Sequence, residues 1–260
     1  MQACRFAFLD HAGPIAFAHR GGALEAPENT WASFSRARDL GYRYMETDVH
    51  ATSDGVAVAI HDPDLARMSG RAQLVRAIPW SQLATVRLHG GEPVPRLEEL
   101  LAAWPEVRWN IDAKHDSVVD PLVETLRRMG DLDRVCVTSF SDRRLARIRR
   151  ALGPRLCMAM GPAAVAAFRC ASLMTNGVGR AACGALGRFG AAQVPLVHRG
   201  VRLAERRFVD AAHRAGIQVH VWTVDDEASM TRLLDLGVDG IMTDRPSVLK
   251  ALLERRGSWA

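Results

Sequence analysis

The feature that most constrains the fold is a repeated alternation of short apolar runs with longer segments of helical periodicity. Eight of the runs predict strands, because they are rich in β-branched or apolar residues and too short for helices. They cover residues 15–19, 44–49, 107–114, 134–140, 156–160, 193–197, 218–224 and 240–244. Five helical segments stop at a glycine that precedes the next strand, at Gly41, Gly130, Gly153, Gly216 and Gly237. Repeated strand–helix units of this kind indicate a parallel sheet.

The length of the chain indicates how that sheet closes. Its 260 residues are close to the roughly 250 residues of one eight-stranded α/β barrel. We therefore predict an α/β fold in which residues 1–260 form a single (β/α)8 TIM barrel domain.

A ninth extended run, residues 56–60, follows the second strand too closely for a parallel crossover, which needs about a dozen residues or more. The intervening Asp54-Gly55 pair is a strong two-residue hairpin signal. We therefore predict a β-hairpin after strand two. Such a hairpin would return His61 to the level at which strand two ends, close to Glu46 and Asp48.

Composition narrows the class of protein. With 48% hydrophobic and 24% charged residues, the chain can build a core, yet it has no uncharged run of the roughly 18 apolar residues that span a membrane. We expect no stable membrane insertion. Asp10 and His11 interrupt the apolar residues near the start, so we predict a cytoplasmic protein without a signal peptide. The five cysteines have no Cys-x-x-Cys spacing, which predicts neither a disulfide framework nor a zinc site.

The formal net charge of +5 does not by itself indicate a nucleic-acid partner. Arginines supply most of it and lie largely on helical segments, as solvated helix faces do. Lysine is rare, so Lys114 is conspicuous. We expect no nucleic acid among the partners, and the sequence leaves the oligomeric state open.

Polar residues gather where the predicted strands end, which is the face on which α/β barrels build their active sites. They are His19 and Arg20 after strand one, Glu46 and Asp48 on strand two, Asp112 and Lys114 on strand three, Trp222 and Thr223 on strand seven, and Thr243 and Asp244 on strand eight. Glu46 and Asp48 are two residues apart, so their side chains point to the same face of the strand.

Three carboxylates that converge on one point call for a cation, because buried like charges repel and are costly to desolvate. Oxygen ligands favour Mg²⁺ or Ca²⁺, so we predict one divalent metal ion bound by Glu46, Asp48 and Asp112. For any one carboxylate, the alternative is a salt bridge with Arg20 or Arg43.

His19 and His61 are predicted to be the catalytic pair. An imidazole titrates near neutrality, so one ring can accept a proton from an attacking oxygen while the other donates one to a leaving oxygen. Arg20 and Lys114 are predicted to bind phosphate. The alternative for these two cations is a structural ion pair with Glu46 or Asp112.

Motifs over nearly the whole chain resemble the glycerophosphodiester phosphodiesterase family. In order they are AHRGG (18–22), APENT (26–30), METDVHATSDG (45–55), AIHD (59–62), NIDAK (110–114), VTSF (137–140), VWTV (221–224) and DGIMTD (239–244).

The resemblance implies the same catalytic, metal-binding and phosphate-binding residues. It adds Glu28 and Asn29, which match a motif that frames the site, and Trp222, which matches an aromatic residue at the glycerol end. One departure is Asp112, where the family commonly has glutamate. The shorter side chain puts metal preference and affinity in question.

The implied activity is metal-dependent hydrolysis of a small-molecule glycerophosphodiester to sn-glycerol 3-phosphate and an alcohol. The attacking group is either water or the substrate's own 2-hydroxyl, and the latter route passes through a cyclic phosphate.

An alternative within the superfamily is a lysophospholipase D or phospholipase-like enzyme that acts on a lysolipid. The Ala- and Gly-rich residues 161–192 predict a helix and a loop, and an apolar approach surface there would favour the lipid substrate. A binding-only sensor is disfavoured, because it has no need for a paired acid and base.

Overall fold

A computed structural model of the chain describes residues 5–174, 177–198 and 200–259. Cys4, one of the five cysteines, and Arg199, part of a second His-Arg-Gly run, lie outside the described residues. The strands, numbered along the chain, are β1 Ile15–Ala18, β2 Tyr44–Ala51, β3 Ala57–Ala59, β4 Asp64–Leu65, β5 Arg71–Leu74, β6 Arg108–Ala113, β7 Val135–Thr138, β8 Cys157–Met158, β9 Ala191–Pro195, β10 Val197–His198, β11 Val201–Arg202, β12 Gln218–Trp222 and β13 Gly240–Thr243.

The helices surround these strands. They are α1 Trp31–Asp39, α2 Ala66–Ser69, α3 Trp80–Leu83, α4 Leu97–Ala103, α5 Val119–Met129, α6 Asp142–Leu152, α7 Pro162–Leu173, α8 Gly177–Ala185, α9 Arg206–Arg214, α10 Glu227–Leu236 and α11 Pro246–Arg255.

Eight parallel strands form the predicted (β/α)8 barrel. Their hydrogen-bonded order is β8, β7, β6, β2, β1, β13, β12 and β9. A parallel bridge between Ala159 and Ala191 joins the two ends of this order, and the backbone N–H of Met160 donates to the Ala191 carbonyl at 2.9 Å. Each barrel strand overlaps one of the eight predicted runs, so the predicted fold class is confirmed.

Helix α5 illustrates why the intervening segments pack on the outside of the barrel. Its buried residues Val119, Leu122, Val123 and Leu126 recur at three- and four-residue spacing, which places them on one face of a helix. The helix ends at Gly130, whose φ of 76° lies in the left-handed region. Glycine adopts that conformation without a steric penalty, and the predicted stop signal is therefore correct.

The predicted hairpin after strand two is also confirmed. Strand β3 pairs antiparallel with β2, with Val49 opposite Ala59 and Ala51 opposite Ala57. The Thr52 hydroxyl donates to the Asp54 carboxylate at 2.6 Å and fixes the turn. The strand is shorter than predicted, Ala57–Ala59 rather than residues 56–60.

Two connections contain more elements than the sequence predicted. Between β3 and α4 the chain forms β4, α2, β5 and α3, which pack over a small core that includes Leu65, Val75 and Leu83. These elements are only two to four residues long, too short to produce a periodic pattern. Residues 161–192 contain two helices, α7 and α8, instead of one helix and a loop.

The amino-terminal end of the barrel is closed. Phe6, Phe8 and Leu9 are buried against the lumen residues Phe17 and Tyr44, and the Tyr44 hydroxyl donates to the Phe8 carbonyl at 2.9 Å. The opposite end, where the strands finish, contains the main cavity. Among the described residues, no helix is long and apolar enough to cross a bilayer.

Candidate active site

The main cavity, of about 590 Å³, opens at the carboxyl ends of the barrel strands and has the size of a small-molecule site. Most of the predicted site residues line it. They are His19, Arg20, Glu46, Asp48, His61, Asp112, Lys114 and Trp222. The structure therefore brings together predicted site residues from four barrel strands and one hairpin.

The three predicted metal ligands lie on adjacent strands and are buried. Asp48 on β2 is directly opposite Asp112 on β6, and Glu46 is opposite Asn110. The Lys114 ammonium lies between the two aspartates, with Nζ 2.8 Å from Asp48 Oδ1 and 2.6 Å from Asp112 Oδ2. The ion pair of Lys114 with Asp112 that the sequence offered as an alternative is thus present.

Of the three carboxylates, Asp48 has the most hydrogen-bond and ion-pair partners. The Arg20 Nε lies 2.9 Å from Asp48 Oδ2, and the Asn29 amide donates to the same oxygen at 3.0 Å. Burial opposes ionisation of Asp48, but the charges of Lys114, Arg20 and His61 outweigh it and lower its pKa. This carboxylate is therefore ionised at neutral pH.

The other two carboxylates are less fully compensated. Burial, followed by the charge of Asp48, raises the pKa of Glu46 to about 7. Burial also raises the pKa of Asp112, whose Oδ1 is buried and has no hydrogen-bond partner. An unsatisfied carboxylate oxygen and a carboxyl group with a raised pKa are what a site for an additional cation would present.

The donor set therefore fits a hard divalent cation, which favours oxygen ligands. Among residues 5–174, 177–198 and 200–259, however, no three His, Cys, Asp or Glu side chains are already arranged as a metal site. Lys114 would have to share Asp48 and Asp112 with the ion.

Each predicted catalytic histidine has a carboxylate on one ring nitrogen. His19 Nδ1 is 2.7 Å from Asp244 Oδ1, and His61 Nδ1 is 2.7 Å from Asp62 Oδ1. Burial opposes protonation of His19, but Glu46 and Asp244 outweigh it and raise the His19 pKa. The second ring nitrogen of His19, Nε2, lies 3.8 Å from Glu46 Oε2.

A chain of ion pairs connects Asp62, beside His61, with Arg20. Arg67 donates to both oxygens of Glu28 and, through Nε, to Asp62 at 2.6 Å. Glu28 in turn lies 3.3 Å from Arg20 Nη1. Glu28 therefore pairs with two arginines and does not itself line the cavity.

The loop after β1 explains the placement of Arg20 and Asn29. Both residues have positive φ, 51° and 54°, a conformation that costs energy for a side chain larger than glycine. Helix α1 starts immediately afterwards, with Thr30 as N-cap and Ser33 completing a capping box. Pro27 therefore lies three residues before the N-cap, outside the helix.

The opposite side of the cavity is apolar. We call this surface the apolar wall, and it consists of Phe140, Met160, Pro162, Val165, Ala166, Val201 and Leu203. Arg169 also lines the cavity on this side, and its Nη2 is 2.8 Å from Glu205 Oε2. Trp222 lies where the two sides meet. Its ring packs edge to face against Phe140, with the two ring centres 5.7 Å apart.

Sequence reasoning gave no role to Asp62 or Arg67 and did not pair Asp244 with His19. Asp62 directly follows His61, and Asp244 follows the last barrel strand, so both positions were visible but their histidine partners were not. Arg67 belongs to the short helix α2, which gives no periodic signal.

The sequence profile of the Glycerophosphoryl diester phosphodiesterase family matches residues 19–248. A Mycobacterium tuberculosis protein named "Probable glycerophosphodiester phosphodiesterase 2" is 41% identical over 254 residues, which cover 97% of this chain and 95% of that protein.

Solved structures share the fold. A "Putative glycerophosphoryl diester phosphodiesterase" from Silicibacter pomeroyi has a TM-score of 0.80 at 24% identity and covers 98% of this chain and 100% of its own. An Oleispira antarctica phosphodiesterase in complex with the product sn-glycerol-3-phosphate has a TM-score of 0.76 at 22% identity, over 93% and 97% of the two chains. Together with the profile match, the 41% identity shows that this chain belongs to the glycerophosphoryl diester phosphodiesterase family.

Proposed function

We propose that the chain hydrolyses glycerophosphodiesters to sn-glycerol 3-phosphate and an alcohol by acid–base catalysis with His19 and His61. The observation that carries the proposal is the pair of imidazoles, each with Nδ1 on a carboxylate, on a cavity that also contains Arg20 and Lys114. The family membership and the relative's name support the substrate class.

The two histidines divide the proton transfers. His19 donates its Nδ1–H to Asp244 and His61 donates its Nδ1–H to Asp62. Each ring then has Nε2 for proton transfer with the substrate. One Nε2 accepts a proton from the attacking oxygen, and the other gives a proton to the departing alcohol. The attacking oxygen belongs to water or to the substrate's 2-hydroxyl, and a trapped cyclic phosphate would identify the second route.

The cations and the framing residues hold the phosphate and the histidines. Arg20 offers a planar pair of donors and Lys114 a point charge, so both suit phosphate oxygens. Asn29 fixes Asp48 through its amide, and Glu28 restrains Arg20. Trp222 borders the end of the cavity that would receive the glycerol.

Glu46, Asp48 and Asp112 are proposed to hold one divalent ion, Mg²⁺ or Ca²⁺. The unpartnered Asp112 Oδ1 and the raised Glu46 pKa support this assignment. Such an ion would polarise the phosphate and lower the pKa of the attacking oxygen.

A panel of substrates and metals tests these proposals together. The purified protein would be stripped of metal and assayed on glycerophosphocholine, other glycerophosphodiesters and lysophosphatidylcholine, with Mg²⁺, Ca²⁺ or Mn²⁺ restored. We expect activity on glycerophosphodiesters that requires the added ion. Full activity in the presence of a chelator would disprove the metal requirement, and failure on every phosphodiester would disprove the function.

A second candidate, a lysophospholipase D activity, is favoured by the apolar wall. An unacylated glycerol does not need seven apolar residues beside the cavity, whereas the acyl chain that lysophosphatidylcholine carries on its glycerol would bury its surface against them. The same panel distinguishes the two activities, since a lysophospholipase D would have a higher kcat/KM for lysophosphatidylcholine than for glycerophosphocholine.

A further inference from the structure

Exposed large apolar side chains are distributed unevenly over the described residues. They are Leu24, Leu74, Phe140, Leu173, Met174, Val178, Val197 and Val201. Several of them are close to the cavity: Phe140 and Val201 line it, and Leu24 donates its backbone N–H to the Asp244 carbonyl at 3.1 Å. Helix α7, which ends at Leu173, also lines the cavity through Val165, Ala166 and Arg169. Single exposed apolar residues are ordinary, but a group of them beside a cavity is not.

Most of these residues belong to two neighbouring connections. Leu173, Met174 and Val178 lie at the junction of α7 and α8, and Val178 is 66% exposed. Val197 and Val201 lie on the β10–β11 hairpin and are 49% and 51% exposed. We call these five residues the apolar rim.

The two segments that carry the apolar rim have basic side chains but no acidic ones. Residues 161–204 contain no aspartate or glutamate. Arg180 on α8 and Arg202 on β11 are exposed, and the next acid along the chain, Glu205, is paired with Arg169 at 2.8 Å. A surface that combines exposed apolar side chains with arginines and lacks carboxylates complements an anionic layer with an apolar interior.

The apolar rim is continuous with the cavity. Val201 belongs both to the apolar rim and to the apolar wall, and Val165 extends the apolar wall along α7. A molecule that leaves a lipid layer at the apolar rim would therefore meet apolar side chains along its path to the site.

We propose that the apolar rim docks reversibly on the surface of an anionic lipid bilayer, with Arg180 and Arg202 at the headgroups. The apolar side chains enter the interfacial region and the arginines contact anionic headgroups, so both contribute to binding. This is peripheral adsorption and does not require a spanning helix. It does not depend on the proposed catalytic activity, because binding is measured without turnover.

The test uses the full chain and sedimentation with phosphatidylcholine–phosphatidylglycerol vesicles, compared with pure phosphatidylcholine vesicles. The triple variant Leu173→Ser, Val178→Ser, Val197→Ser removes the apolar contribution, and Arg180→Glu, Arg202→Glu removes the basic one. None of the five residues lines the cavity. Arg150→Glu, Arg155→Glu is the charge-matched control, because both arginines are exposed near the end of α6 and the loop before β8, at the closed end of the barrel.

We expect the parent chain to bind the anionic vesicles and the control variant to bind equally well. The double arginine variant should bind at least about tenfold more weakly, since each exposed arginine contributes about 1 kcal/mol at such a surface. The triple serine variant should also bind at least about tenfold more weakly, because it loses the apolar area that three side chains bury in the interface. Circular dichroism and hydrolysis of soluble glycerophosphocholine should be unchanged, which separates lost docking from lost folding.

Two results would overturn the proposal. One is the absence of binding by the parent chain. The other is unchanged binding by the triple serine variant together with weak binding by the arginine variant, which would identify a basic face for a soluble polyanion such as a nucleic acid. If folding of the triple variant fails, the single change Val178→Ser gives the same comparison at the most exposed position.

Discussion

The two sides of the cavity differ in origin and in chemistry. The polar side comes from β1, β2, β6 and the hairpin after β2, and it carries the two histidines, the three acids, Arg20 and Lys114. The apolar wall comes mainly from the segments after β8 and β9. Phe140 lies at the border, with Lys114 Nζ 5.7 Å from its ring centre.

This difference indicates a division of labour. The polar side can bind a phosphate, move protons and stabilise developing charge, all of which require defined positions of charged groups. The apolar wall can distinguish a substrate whose glycerol carries an acyl chain from one whose glycerol does not, but it can take no part in the bond cleavage. Reaction type and substrate preference should therefore respond to separate substitutions.

The largest effect is expected on the polar side. We expect His19→Ala and His61→Ala each to lower kcat about 10²- to 10⁴-fold, the range that general acid–base catalysis contributes. Thermal unfolding should change little, because both rings border the cavity. Steady-state kinetics and calorimetry measure the two quantities.

His213→Ala is the matched control, since His213 also forms a histidine–aspartate pair, with Asp239 at 2.8 Å, but lies outside the cavity. It should retain the parent kcat. Near-normal turnover in both cavity variants would end the acid–base assignment.

The next effect concerns the layer beneath both sides. His220 is fully buried, and its Nδ1 lies 3.4 Å from Gln193 Nε2, which also contacts Asn110. Burial lowers the His220 pKa to about 4, from 6.5. The unfolded chain binds this proton below about pH 6.5 and the folded chain only near pH 4, so stability falls as pH decreases across that window, by up to about 3 kcal/mol.

We expect His220→Gln to reduce this acid-dependent loss of stability, measured by denaturant unfolding at several pH values. His213→Gln should not reduce it, because the hydrogen bond with Asp239 raises the His213 pKa. An unchanged pH profile in His220→Gln would show that the buried ring does not govern acid stability.

A smaller effect is expected for the carboxylates that hold the histidines. Asp62→Asn and Asp244→Asn retain size but weaken control of the imidazole orientation and charge. We expect kcat to fall about 10- to 100-fold, as for misplacement of a reacting group by about an ångström. The pH profile of kcat should shift as well, which a purely structural role would not produce.

Asp226→Asn is a suitable control, because Asp226 caps α10 and asparagine caps equally well. A shift of KM alone in the Asp62 and Asp244 variants would contradict a positioning role in catalysis.

The contrast between the two sides also explains what the sequence could predict. The strands, the hairpin and the polar residues followed from periodicity and from the rule that barrel sites lie at strand ends. Asp62 and Asp244 required knowledge of which carboxylate meets which imidazole, and that is decided by loop geometry. The sequence raised an apolar surface in residues 161–192 only as an alternative. It did not identify the residues of the apolar wall, because Val165 and Leu203 look like ordinary core residues until α7 and the β10–β11 hairpin are placed over the cavity.

The smallest effect is expected on the apolar wall. Val165 and Leu203 are partly exposed to the cavity, so Val165→Ser and Leu203→Ser remove apolar contact without emptying the core. If an acyl chain binds there, kcat/KM with lysophosphatidylcholine should fall about tenfold, since the apolar contact of one methylene is worth about 1–3 kcal/mol. The value with glycerophosphocholine should stay within about twofold, because a substrate without an acyl chain has no long apolar surface to bury there. Equal losses with both substrates would mean that the apolar wall supports the polar side structurally, and the division of labour between the two sides would then be wrong.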